Sequence, residues 1–232
     1  MRFILLLGIL LTAITTYSQQ RVEGSLLLGG AYYGGDLNQK LIALDYLYPC
    51  YGATLRYNFK PGIAAKFQFL KGTIAGDDEK TPNKARGLHF KSPFFAIGIA
   101  GEIIPWRKYR FNNMGIFQKS FSPYASVGVS MIQSADEVQS RFPQAGQIIP
   151  EPEDKNFFLS LTFGLGARYD FHEKFTLGAE GIWYPTFSDY LDGVSKNGNA
   201  DKKDWILSAT FYISYFFGAA EPDFNFGKTR KF

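Results

Sequence analysis

The chain holds one cysteine, Cys50, and only two histidines, His89 and His172, in 232 residues. A single thiol excludes an internal disulfide framework and a cysteine metal site. No glycine-rich phosphate loop, dinucleotide fingerprint or zinc spacing occurs. Past residue 18 no apolar run approaches the roughly twenty residues of a membrane helix. Excess charge is scarce as well. A net charge of +4 suits anionic headgroups or an acidic partner and does not suggest nucleic acid.

What the chain has is aromatic residues, 17% of it, and 24 glycines, at a mean hydropathy of only −0.12. Strands with one apolar and one polar face give that combination. Residues 1–18 read as a cleaved secretory signal peptide: Arg2, an apolar stretch over 3–14, and Thr16-Tyr17-Ser18 as a small-x-small cleavage site. The absence of a cysteine nearby argues against a lipoprotein.

The clearest segment is 204–217. Trp205, Leu207, Ala209, Phe211, Ile213, Tyr215 and Phe217 alternate with Ser208, Thr210, Tyr212 and Ser214, and only Ile206 and Phe216 break the pattern. Period-two alternation places successive side chains on opposite faces of a strand. The same reading gives strands over 22–34, 49–59, 63–74, 89–104, 121–132, 157–171 and 174–187. Connections one, three, five and seven are long. The second and sixth are tight turns, and the fourth, 105–120, is an exception. Long loops on one rim and short turns on the other predict an all-β fold, an eight-stranded antiparallel transmembrane β-barrel of the outer-membrane type over 19–217. Both termini then face the periplasm, and a tail, 218–232, follows. A soluble sandwich would put its apolar face inside; here that face is assigned to lipid.

With the apolar phase outward, Glu23, Arg56, Lys66, Glu102, Arg168 and Glu180 point into the lumen. Three acids and three bases predict an internal ion-pair network, because a buried charge without a partner is costly. The competing reading is an ion or proton path, against which stands the narrowness of an eight-stranded barrel. Catalysis finds little support. His89 and His172 fall on opposite rims, so one triad cannot use both. His89 could pair with Ser92 and an acid of 77–79, in an order matching no hydrolase motif. Asp77, Asp78 and Glu79 lack calcium-loop spacing. No catalytic residue, metal or cofactor is expected.

Several short motifs carry a resemblance: G-A-Y-Y-G-G-D-L-N at 30–38, L-R-Y-N-F at 55–59, G-D-D at 76–78 and S-P-Y-A-S-V-G-V at 122–129. With the signal segment, they make the chain similar to the PorG-like small outer-membrane barrels of Bacteroidota, components of the type IX protein secretion and gliding machinery. The resemblance covers most of 22–217. It implies a non-enzymatic anchor or cap for a periplasmic ring formed by a lipoprotein and its partner, and it brings no catalytic residue or cofactor. One departure is the end of the chain: such barrels commonly finish on the aromatic of the last strand, whereas here 218–232 follow.

Two basic segments fall on the expected periplasmic rim: Trp106, Arg107, Lys108, Arg110 and Lys119 in the fourth connection, and Lys228, Arg230 and Lys231 in the tail. Bases interleaved with aromatics are the anchors that dominate protein interfaces, so both segments are expected to bind the ring. Contact with outer-membrane lipid headgroups is the competing role. An outer-surface adhesin acting through Tyr46, Tyr48 and the 133–156 loop is the alternative function.

Overall fold

The computed structural model describes residues 22–35, 47–60, 62–77, 88–112, 115–134, 138–140, 157–187 and 204–217. The expected signal segment, the tail with Lys228, Arg230 and Lys231, Tyr46 and most of the 133–156 loop lie outside these residues. The described residues form nine strands: β1 Val22–Gly34, β2 Tyr48–Lys60, β3 Ile63–Asp77, β4 Leu88–Ile103, β5 Ser120–Ser134, β6 Val138–Ser140, β7 Phe157–Asp170, β8 Phe175–Pro185 and β9 Trp205–Phe217. Eight of them form one closed antiparallel barrel. The sheet runs β3-β2-β1-β9-β8-β7-β5-β4, and β3 pairs with β4 to close it. β6, three residues of the long loop, adds to the upper end of β4. Closure leaves no open edge, which is what a sheet in lipid requires.

First and last strands are neighbours, from Val22↔Phe217 to Gly34↔Trp205. This places both barrel termini at the end that carries the tight turns, here called lower. There the β2–β3 turn uses Gly62 at φ 130°, a conformation that a side chain would resist. At the upper end the β3–β4 hairpin outgrows its neighbours. It pairs from Ile63↔Ile103 to Asp77↔His89, whereas β5 stops at Ser134, opposite Phe94.

Burial is inverted relative to a water-soluble protein. Leu165 and Phe211 on the outside are 73% and 75% exposed, while Arg56 and Lys66 inside are 1% and 2% exposed. A leucine and isoleucine belt circles the outer wall, bordered by aromatic pairs. Tyr57 meets Phe59 and Tyr215 meets Phe217 near the lower rim, and Phe69–Phe95 and Tyr32–Trp205 lie near the upper rim. Apolar surface on that scale facing outward is stable only against lipid.

The inner face is not lined by charge alone. In the upper half Leu70, Ile74, Phe90, Phe94, Ile132, Ile182 and Ile206 fill the lumen as a buried apolar cluster. Apolar side chains fill space without needing partners, so this half of the interior resembles a small soluble core.

Candidate functional site

Below the apolar plug the lumen holds a chain of buried charges. Alternation on β1–β4, β7 and β8 aims one or two charged side chains from each strand at the barrel axis. Arg56 is central. Its Nε and NH2 donate to both oxygens of Glu102, at 2.5 and 3.1 Å, and its NH1 donates to Glu23 at 3.0 Å. Arg168 NH2 reaches the same Glu23 at 2.8 Å. Lys66 Nζ lies 2.7 Å from Glu180 and 3.4 Å from Glu102. The pairs form one line: Glu180, Lys66, Glu102, Arg56, Glu23, Arg168.

Two further members continue it to the lower mouth. Asp170 lies 3.6 Å from Arg168 and receives the Arg110 guanidinium at 2.7 Å. Ser120 and Thr176 also donate to Asp170. Alternation could have found Asp170, since it shares the inward phase with Arg168, two residues earlier. Arg110 gives no such signal because it lies outside any strand.

Two tyrosines pack on the centre of this line. The Arg56 guanidinium lies 5.8 Å from the Tyr124 ring centroid and 5.6 Å from that of Tyr212. Tyr124 donates to Glu180 at 2.8 Å. Each ring lies over a glycine of the neighbouring strand: an added Cβ at Gly166 would run into Tyr124, and one at Gly178 into Tyr212. Gly178→Val should displace the Tyr212 ring and destabilise the barrel by about 1–3 kcal/mol, the usual range for overpacking. Denaturant unfolding of the refolded protein in micelles measures it, with Gly181→Val, where a Cβ meets only Ser208 O at 3.8 Å, as the control.

The fourth connection is folded rather than an open loop. Phe111 bridges to Phe117, Gln118 N–H donates to Arg110 O at 2.8 Å, and Gly115 turns the chain at φ 75°. This small hairpin lies across the lower mouth, tied by two arginines. Arg107 NH1 donates to Asn58 Oδ1 at 2.5 Å. Arg110 sits 3.8 Å from the Phe216 ring centroid, and it also reaches Glu173 O and Thr176 Oγ1. Burial, with Arg168 facing it, pushes the Arg107 guanidinium down to about 9, still charged at neutral pH. Burial likewise lowers Arg110, with Asp170 opposing.

The expected partner-binding group is therefore split. Arg107 bonds to Asn58 and Arg110 to Asp170, both within the lower mouth. Trp106, Lys108 and Lys119 point outward, with Tyr109 and Ile116 beside them.

Chemistry elsewhere is sparse. His172 Nδ1 accepts the Lys174 N–H in the β7–β8 turn, and His89 stands opposite Asp77 at the other rim. Among the described residues, no group of three His, Cys, Asp or Glu could hold a metal ion. A cavity of about 10 Å³, lined by Lys66, Gln68, Ser126, Thr162 and Tyr184, has room for roughly one water molecule.

Known proteins share this architecture. The model of a family described as "Domain of unknown function (DUF6089)" matches residues 1–225. No curated protein matches the chain. Neisserial surface protein A is similar at 11% identity, over 84% of this chain and 96% of its own, with a TM-score of 0.50. The attachment invasion locus protein Ail of Yersinia pestis matches at 13% identity, over 85% and 99%, with a TM-score of 0.43. The outer membrane protein OprG of Pseudomonas aeruginosa matches at 11%, over 87% and 99%, again at 0.43. At such identities the likeness speaks for the barrel fold alone.

Proposed function

The chain belongs to the DUF6089 family, and on that footing we propose that it is a non-enzymatic outer-membrane scaffold whose lower, periplasmic rim docks a periplasmic assembly. One observation carries the reading. The β4–β5 hairpin is fastened to the barrel by Arg107 and Arg110, so Trp106 (71% exposed), Lys108, Tyr109, Ile116 and Lys119 are held out on a stiff base. A preorganised aromatic and basic surface binds at a smaller entropic cost than a free loop. The buried carboxylates are engaged in ion pairs, which suits a structural interior better than a reactive one.

The finer proposal follows the sequence resemblance: the docked assembly is the ring of the type IX secretion machinery, met through its lipoprotein or that lipoprotein's partner. The 218–232 tail, which follows Phe217 in the sequence, is a second arm of the contact. The test is recovery of the ring lipoprotein with the affinity-tagged barrel from solubilised membranes. Trp106→Ala combined with Lys108→Gln and Lys119→Gln should lower recovery about thirty-fold, since one aromatic hot spot is typically worth 2 kcal/mol or more. Unchanged recovery, with or without the tail, would leave the hairpin as a headgroup contact.

A further inference from the structure

The outer wall carries an anomaly that the scaffold role does not use. Above Lys60 at the lower end of β2, the outward positions of all eight barrel strands are uncharged except on upper β3 and β4. Lys71 stands outward on β3, between Tyr51 of β2 and Phe95 of β4. Lys91 stands outward on β4, opposite Ala75, and Asp77 faces His89 two residues farther out. Both lysines are exposed. Elsewhere the wall is apolar, so these two charges are placed against the local rule.

Their heights explain the placement. Lys71 is eight residues above Ile63, an outward residue at the lower end of β3. At about 3.4 Å per residue and a tilt near 40°, that is roughly 21 Å along the barrel axis, close to the upper edge of an apolar band about 25 Å tall. Lys91 lies opposite position 75 and so about 10 Å higher by the same arithmetic. It sits on the part of the β3–β4 hairpin that has passed the end of β5. The pair brackets the headgroup layer. A lysine just inside the band extends its ammonium toward the phosphates, while its methylenes stay in the acyl region. Lys91 is held in place by the Tyr48 ring, 5.1 Å from its Nζ. Tyr51, Phe69 and Phe95 beside Lys71 give acyl chains an aromatic surface.

We propose that this face of β3–β4 is a binding site for the phosphate-bearing headgroup of an anionic lipid in the leaflet on the long-loop side. Lys71 and Lys91 contact the phosphate from below and above, and the aromatics pack its chains. The site is on the opposite rim from the β4–β5 hairpin and does not depend on any docked partner.

Native mass spectrometry of the mature protein, released from nanodiscs of phosphatidylcholine doped with phosphatidylglycerol, tests this. A basic residue near a charged membrane surface is worth a factor of about five, so Lys71→Gln with Lys91→Gln should lower phosphatidylglycerol retention roughly thirty-fold. Lys71→Arg with Lys91→Arg should restore most of it. Heat-shifted gel mobility shows that each variant is folded. Equal retention by the parent and the double glutamine variant, or equal retention of phosphatidylcholine and phosphatidylglycerol by the parent, would overturn the assignment.

Discussion

Arg56→Met will destabilise the barrel by about 3–5 kcal/mol, the usual cost of removing one partner from a buried ion pair. Arg56 is 1% exposed and holds both Glu23 and Glu102. Without it, among the described residues Glu102 keeps an ion pair only with Lys66 at 3.4 Å, which Glu180 shares, and Glu23 only with Arg168. The measurement is urea unfolding of the refolded barrel in micelles. A discriminating control is the double change Arg56→Met and Glu102→Gln, which leaves the Glu180–Lys66 and Glu23–Arg168 pairs in place. It removes charge of both signs and should recover most of the loss, because an ion pair replaced as a whole by neutral groups is often close to neutral in stability. A drop of under 1 kcal/mol for Arg56→Met would mean that water, not protein, solvates the line.

The second large effect is on the outer wall. Leu165, at mid-height on β7 and 73% exposed, has Ala125 and Gly181 as its strand neighbours. In a soluble protein Leu165→Arg at so exposed a position would change stability by less than about 0.5 kcal/mol. Against lipid near the bilayer centre the same change should cost about 2–4 kcal/mol. Leu165→Arg should therefore unfold from bilayers at lower denaturant than Leu165→Ala. Lys71→Arg, at the band's edge, should match the parent. Equal midpoints for Leu165→Arg and the parent would remove this face from the membrane.

The strands were legible because the lipid side repeats with few interruptions, Lys71 and Lys91 among them. Each outward position asks only for apolarity, so the period-two signal survives on all eight barrel strands. Ile206 and Phe216, which interrupt the alternation of β9, turn out to mark the two ends of its inward row. Ile206 belongs to the upper apolar cluster, and Phe216 lies under Arg110 at the lower mouth. Interior chemistry was legible for six of the seven buried charges carried on the described strands, Asp170 at the end of β7 being the one missed. It was not legible for Arg110 and Arg107, whose direction is set by the fold of the β4–β5 hairpin. A basic connection in a sequence looks the same whether its arginines face a partner or fold back on their own barrel. The apolar filling of the upper lumen was equally hidden, since Leu70, Phe94 and Ile132 read as extra hydrophobicity with no indication of side.

The seam between β1 and β9 has a kinetic consequence. Its thirteen residue pairs join positions up to 195 apart in the chain, from Val22↔Phe217 to Gly34↔Trp205. Contacts of such separation come late and slowly, because the intervening chain must be ordered before they repay the lost entropy. Until that seam zips, β1 has an unsatisfied edge, and Arg110 lacks the Phe216 ring that it rests on in the finished barrel. Closure and floor are thus completed in one late step. A chain that stalls before it presents an open strand edge, the form most prone to pair with another chain and aggregate.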